Sequence, residues 1–308
     1  MMVCKKDTVE EPNLLLLSFI KRTGDTKMLH RSIIVQTKYL LKQKGAIFTF
    51  YAFLILVLIN YFHNIFDFTG YEVIDMYHPM KLLSLSYNRV NYNADTTLML
   101  TQLYPILVVF PAGFSLINES QSGHEIMMAS RIGYHNYHLS KLLSTFLTTA
   151  IICSAPFFIE IILNCIAFPL NATGDLSNLG LYEADYVQSV QNYLFPKFFI
   201  KSPYLYAIAG TLFWGIYSGL LGAFTVAFSS VFKIKYKILL FLPVYLLLNA
   251  TLYIPRLLPR NTTSIKWYDY LLLFNDQAKS YWFLIIKLLL LTFFITISFL
   301  SSDRREHL

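Results

Sequence analysis

Six long apolar blocks dominate this chain and constrain its fold more than any other feature. The longest block, Tyr204–Phe232, runs for 29 residues without Asp, Glu, Lys, Arg or His. A helix needs about 20 apolar residues to cross the hydrocarbon core of a bilayer. The blocks are Ala46–Phe62, Leu98–Ile117, Leu142–Phe168, Tyr204–Phe232, Ile238–Ile254 and Tyr281–Leu300. They predict an all-α, polytopic membrane protein with six transmembrane helices.

The composition favours the same class of protein. Of 308 residues, 56% are hydrophobic and only 14% are charged, whereas soluble domains carry about 25% charged residues. Such a chain does not have enough charge to cover a water-soluble surface. The three cysteines are too few and too scattered for a disulfide-rich secreted module. The expected location is the cell (plasma) membrane, with several passes.

The distribution of basic residues predicts the orientation. Lys and Arg are retained on the cytoplasmic side of membrane proteins. With the N-terminus inside, 16 of the 25 Lys and Arg residues are cytoplasmic and eight lie in the outer loops. The clearest local signal is the short turn that carries Lys233, Lys235 and Lys237. Both termini are therefore predicted to be cytoplasmic, and the net charge of +7 gives no reason to expect nucleic acid as a partner.

The chain divides into a cytoplasmic N-terminal segment, residues 1–45, and a transmembrane domain, residues 46–308. Within the first segment, Leu29–Lys44 has the spacing of a basic amphipathic helix that lies in the membrane interface. Its apolar face would hold Leu29, Ile33, Ile34, Leu40 and Leu41, and its basic face Arg31, Lys38 and Lys42. The alternative is an ordinary solvated helix next to the membrane.

The sequence contains no recognisable catalytic or metal-binding motif. Without any Gly-Lys dipeptide, it lacks the phosphate-binding loop that ATPases use. His124-Glu125 begins a zinc-protease pattern, but Met128 stands where the second histidine ligand would be. None of the seven histidines falls within a predicted span. We therefore expect no catalytic residues, no bound cofactor and no metal site, and we do not expect an enzyme.

The most distinctive segment is the loop between the second and third blocks, residues 118–141. An acidic residue follows the second block, a glycine comes four residues later, and an apolar helical turn, an arginine and a lysine follow. In order these are Glu119, Gly123, Ile126–Met128, Arg131 and Lys141. In this pattern the sequence resembles the permease subunits of type-2 ABC transporters, although Met-Ala-Ser stands where that family often has Pro-Val-Ser before the arginine.

The resemblance implies a function and a set of partners. In that family the loop corresponding to residues 118–133 is a coupling helix that docks on a separate cytoplasmic P-loop ATPase, which binds ATP and Mg²⁺. The candidate coupling residues are Glu119, Gly123, Glu125, Ile126, Met127, Met128 and Arg131. A second permease copy, identical or related, would complete an exporter of peptides, drug-like or amphipathic compounds. The alternative for the loop is a surface helix that lies back on the membrane.

Two predicted intramembrane charges and one glycine ridge complete the candidates. Glu160 and Lys287 both lie in the outer half of their blocks, and intramembrane charges are usually paired or face a cavity. They would form a charge pair or line the transport path, or else act separately, with Lys287 extending to the interface. Gly215, Gly219 and Gly222 follow a spacing that lets helices approach closely.

The apolar stretch Tyr268–Phe274 is too short to span a membrane. It resembles the family's re-entrant turn before the last span and would dip into the outer leaflet. The other class of function that remains open is a self-standing membrane protein without an ATPase: an ion-coupled carrier, or an immunity or sensor protein. Ion-coupled carriers usually have midplane acids and internal repeats, and neither is evident in this sequence.

Overall fold

The structure is a computed structural model that describes residues 14–73, 76, 78–87, 94–170, 191–232, 236–253, 266–275 and 281–303. Over these residues the chain is helical, with one isolated parallel β-bridge between Ser86 and Leu273. The first six helices are α1 Leu14–Leu41, α2 Lys44–Asp67, α3 Ala94–Leu107, α4 Ser115–Ser122, α5 His124–Ile132 and α6 Tyr134–Ala167. The last five are α7 Pro196–Lys201, α8 Pro203–Phe232, α9 Phe241–Tyr253, α10 Trp267–Leu271 and α11 Tyr281–Asp303. The all-α prediction is confirmed for this part of the chain.

Three described helices are long and apolar enough to cross a membrane: α2, α6 and α8. They contain the first, third and fourth blocks of the sequence. The fifth and sixth blocks contain the shorter apolar helices Lys237–Ala250 and Tyr281–Ile297. The protein is therefore a helical, membrane-embedded one.

The second block differs from its prediction, because it is not one continuous helix. Helix α3 ends at Leu107, residues 108–114 form turns, and α4 begins at Ser115. Pro111 lies inside the break, where its ring removes a backbone donor and blocks a regular helix. The turns are held by backbone hydrogen bonds such as Gly113 N to Val109 O at 2.9 Å. The break separates α4 from α3.

Helices α6 and α8 form the most extensive helix–helix contact among the described residues. Gly215, Gly219 and Gly222 all lie on the side of α8 that faces α6. A Cβ atom added to Gly219 would lie 2.7 Å from the carbonyl oxygen of Phe146, and one added to Gly222 would lie 2.4 Å from Thr149 Oγ1. Both distances are too short for a side chain, so the ridge allows a close approach of the two helices.

Helices α2 and α6 run parallel and in register. Phe53 lies against Phe157 with ring centroids 5.7 Å apart, and further along both helices Phe68 lies against Phe168 at 6.2 Å. Residue numbers on the two helices therefore increase in the same direction. Any two residues about 100 positions apart in this stretch lie at the same level.

Helix α1 packs on α6 through a polar face, which is distinct from the apolar face that was predicted to lie in the membrane interface. Ser32 and Gln36 are buried, and both bond to the hydroxyl of Ser140, at 3.1 and 3.0 Å. Of the predicted apolar face only Leu40 is buried, whereas Ile34 is exposed. The reason is that α6 presents serine hydroxyls at this level, and these select the face of α1 that can bond to them.

The segment 267–275 is folded into the bundle. Trp267 is buried and stacks on Tyr104 with centroids 5.1 Å apart. Leu273 N donates to Leu85 O, and Tyr87 N donates to Leu273 O, each at 2.8 Å. The backbone of this short segment thus satisfies its hydrogen bonds against residues 85–87, which permits its burial among apolar helices.

Candidate functional site

Helix α5 is set off from its neighbours by a glycine at each end. Gly123 lies between α4 and α5 with φ +73°, and Gly133 lies between α5 and α6 with φ +82°. Both values fall where a side chain other than glycine is strained. The two turns make α5 a separate short helix of nine residues at the end of the bundle where α6 begins.

One side of α5 lies on the bundle. Met128, Ala129 and Ile132 pack on a buried cluster contributed by three helices. The cluster consists of Leu116 of α4, Tyr137 and Leu142 of α6, and Val226 and Ala227 of α8. A force applied to α5 would therefore act on α4, α6 and α8 together.

The other side of α5 is apolar and exposed. Ile126 is 75% exposed and Met127 56% exposed. Arg131 is exposed in the last turn of the same helix. A small apolar patch with a neighbouring cation is a surface that a partner protein can cover.

Glu119 lies outside this exposed surface and has its partners within the chain, while its role in docking stays a prediction. Lys141 Nζ donates to Glu119 Oε1 at 2.5 Å, and Tyr137 OH donates to Glu119 Oε2 at 2.5 Å. Lys141 is 0% exposed and Glu119 15% exposed. Both carboxylate oxygens are satisfied within the chain, so Glu119 fastens α4 to α6. Glu125 likewise accepts a hydrogen bond from Tyr134 OH at 3.2 Å.

A second polar site lies between α2 and α6, towards their C-terminal ends. Glu160 is 0% exposed. Its Oε1 accepts hydrogen bonds from Asn60 Nδ2 at 2.8 Å, from Ser84 N at 2.7 Å and from Ser84 Oγ at 2.7 Å. The carboxyl group thus joins both helices to the segment around residue 84.

One helical turn further along, two asparagines hold the same segment. Asn64 Nδ2 donates to Leu82 O at 2.9 Å, and Asn164 Nδ2 donates to Pro79 O at 3.2 Å. We call Asn60, Asn64, Glu160 and Asn164 the outer polar cluster. The three asparagines were not predicted from the sequence as site residues. The available signal was the i, i+4 spacing of Asn60 with Asn64 and of Glu160 with Asn164, which places each pair on one helix face.

The structure does not bring Glu160 and Lys287 together as the predicted pair, and the alternative that they line a transport path stays a prediction. Lys287 Nζ lies 4.6 Å from the centroid of the Tyr270 ring, and the acidic side chain whose charge acts on it is Asp269. Glu160 takes its partners from α2 and from Ser84 instead. The two side chains face different neighbours, because Glu160 points to the α2 side of α6 and Lys287 points to α10.

Two basic side chains lie at the short 3-10 turn Pro79–Leu82, which covers the outer polar cluster. Lys81 lies within the turn, and His78 directly precedes it. Burial lowers the pKa of Lys81 to about 8. Burial and the charge of Lys81 lower the pKa of His78. A neutral His78 is consistent with its Nδ1, which accepts a hydrogen bond from Met80 N at 3.2 Å.

The described residues include no group of three or more His, Cys, Asp or Glu side chains able to hold a metal ion. Comparison of the chain with protein-family models, with curated proteins and with solved structures gave no match.

Proposed function

We propose that this chain is the permease subunit of an ATP-driven ABC exporter in the plasma membrane. It would have six spans with both termini in the cytoplasm, and it would work as a dimer with a second permease copy. Two cytoplasmic P-loop ATPases would bind and hydrolyse ATP with Mg²⁺, so this chain would not itself be the enzyme. The substrate would be a peptide or a drug-like or amphipathic compound.

The observation that carries this proposal is the exposed apolar side of α5. Full burial of Ile126 or Met127 by a partner would contribute about 1.5–3 kcal/mol each. Left in water, the same two side chains serve no purpose in the fold, since neither is buried against the bundle. The orientation predicted from the basic residues puts this surface on the cytoplasmic side, where an ATPase could reach it.

The position of α5 also supports a coupling role. Its inner side rests on residues of α4, α6 and α8, and α6 and α8 are two of the three long apolar helices. Closure of the ATPases would push on α5 and tilt these helices against the rest of the bundle. The ion pair of Glu119 with Lys141 would keep α4 and α6 moving together.

A self-standing, ion-coupled carrier is the second candidate. It is favoured by one observation, the fully buried carboxyl group of Glu160, because intramembrane acids are typical of ion pathways. In that case no ATPase would associate with the chain.

The test is co-purification of the tagged, full-length protein from its native membrane in a mild detergent after gentle crosslinking. We expect a P-loop ATPase in stoichiometric amount, lost on Ile126→Asp or Met127→Asp. The matched control is Tyr71→Asp, a change at another exposed side chain, which should retain the ATPase. Monodisperse elution and an unchanged melting temperature would show that the variants are folded. A wild-type preparation without any ATPase would refute the exporter and favour the self-standing carrier.

A further inference from the structure

The carboxyl group of Glu160 is bonded on one side only. All three of its donors, from Asn60 and Ser84, converge on Oε1. Its Oε2 is buried and has no hydrogen-bond partner. A buried carboxylate is costly unless a counter-charge or further hydrogen bonds stabilise it. Something other than the described side chains must therefore complete this group.

No basic side chain in the described part of the chain fills that role. The groups that bond to Glu160 are neutral. Lys287 faces Tyr270 and α10 instead. Lys81 lies in the covering turn, but the side chains and backbone that bond to Glu160 are those of Asn60 and Ser84. With Glu160 ionised, one negative charge in the outer polar cluster is left to be balanced.

Two more oxygen atoms are in the same condition. Asn64 Oδ1 and Asn164 Oδ1 are buried without a hydrogen-bond partner. The orientation of each amide is fixed, because each Nδ2 donates to a backbone carbonyl, that of Leu82 or Pro79. Since α2 and α6 are parallel and in register, Asn64 and Asn164 lie at one level, a single helical turn beyond Asn60 and Glu160.

The cluster thus offers three buried acceptor oxygens that have no hydrogen-bond partner among the described residues. A carboxylate and amide oxygens are hard ligands, which suit an alkali or alkaline-earth cation rather than a metal that prefers nitrogen or sulfur. A divalent ion would leave the cluster with a net positive charge, whereas a monovalent ion balances the single carboxylate of Glu160.

We propose that the outer polar cluster binds one monovalent alkali cation through Glu160, Asn64 and Asn164, with Na⁺ as the probe. The cation would also hold the turn Pro79–Leu82 onto α2 and α6, since the same side chains bond to both. This site does not depend on a partner ATPase, so its existence is separate from the exporter function.

The experiment uses the full-length protein purified in detergent, with choline chloride replacing NaCl at constant ionic strength. Equilibrium binding of ²²Na⁺ should reach about one ion per chain, the stoichiometry that a single carboxylate allows. At a hundred-fold excess over its Kd, Na⁺ should raise the ratio of folded to unfolded protein about 100-fold, seen as a higher melting temperature. The same measurement with K⁺ in place of Na⁺ shows whether the site distinguishes the two ions.

Two variants and a control separate binding from folding. Glu160→Gln keeps an acceptor for Ser84 and Asn60 and introduces an amide donor, so it should fold, bind no ²²Na⁺ and melt at a temperature independent of Na⁺. Asn164→Leu should weaken binding about tenfold or more, as the loss of groups around a metal site does. Glu72→Gln removes an exposed carboxylate outside the cluster and should bind Na⁺ like the wild type.

Three results would overturn the proposal. The first is wild-type protein that binds no ²²Na⁺ and melts at the same temperature in Na⁺ and in choline. The second is a wild-type melting temperature that does not depend on Na⁺ but rises on acidification, while the melting temperature of Glu160→Gln does not rise. A proton would then be the species that neutralises Glu160. The third is Na⁺ binding that persists in Glu160→Gln, which would show that the ion binds elsewhere and would reject the assignment.

Discussion

The buried ion pair of Lys141 with Glu119 provides the sharpest quantitative prediction. Lys141 is 0% exposed, so Glu119→Gln would leave an ammonium group buried without its counter-charge. Loss of one partner from a buried pair costs about 3–5 kcal/mol. The opposite change, Lys141→Met, should cost less, about 1–3 kcal/mol, because Glu119 is 15% exposed and keeps the hydrogen bond from Tyr137.

The double variant Glu119→Gln/Lys141→Met removes both charges and restores an uncharged interior. It should be more stable than Glu119→Gln alone, because no unpaired charge remains buried. The two changes should therefore be strongly non-additive, far beyond the roughly 0.3–0.5 kcal/mol found for independent sites.

The assay is the midpoint of thermal unfolding in one detergent at one scan rate. With about 2 °C per kcal/mol for a chain of this size, Glu119→Gln should lower the midpoint by about 6–10 °C. Lys38→Met, at an exposed lysine, is the control and should leave the midpoint nearly unchanged. Additive effects of the two single variants, or a double variant less stable than both, would refute a coupled pair.

Two further predictions test the packing on α6. Gly219→Leu should lower the stability by about 1–3 kcal/mol or more through overpacking against α6. The control Ile216→Leu, at an exposed position of the same helix, should change the melting temperature little. Equal effects of the two changes would contradict close packing of the two helices. Cysteines at Ser32 and Ser140, whose hydroxyl oxygens are 3.1 Å apart, should form a disulfide under mild oxidation in a background without the native cysteines. The control pair, with Val35→Cys in place of Ser32→Cys, should stay reduced, because Val35 is exposed on another face of α1. Efficient crosslinking of the control pair would mean that α1 packs on α6 through a different face.

The helices of this protein are largely predictable from its sequence, because long runs without charge can be stable only as helices in an apolar environment. The three described helices that are long and apolar enough to cross a membrane, α2, α6 and α8, correspond to three of the six blocks, and the glycine spacing in α8 corresponds to the side that meets α6. The break after Leu107 was harder to predict, since the proline content alone does not distinguish a kink from an interruption.

The candidate docking surface was partly predictable. Ile126, Met127 and Met128 were all predicted to belong to it. Ile126 and Met127 are exposed, whereas Met128 packs on the buried cluster beneath α5. Glu119 was included through the resemblance to the ABC permeases, but the structure gives it two partners on α6. The charge of Lys141 was visible in the sequence, yet only the fold of α4 against α6 brings the two side chains together.

The sequence by itself determined that this is a helical membrane protein, because hydrophobic burial along a helix depends on local composition and spacing. The tertiary structure alone decided which polar groups meet. Glu160 and Asn60 are 100 positions apart, and their contact exists only because α2 and α6 run parallel and in register. Inside an apolar environment each buried polar group must find a partner, and which partner it finds depends on the relative position of helices that no local pattern encodes.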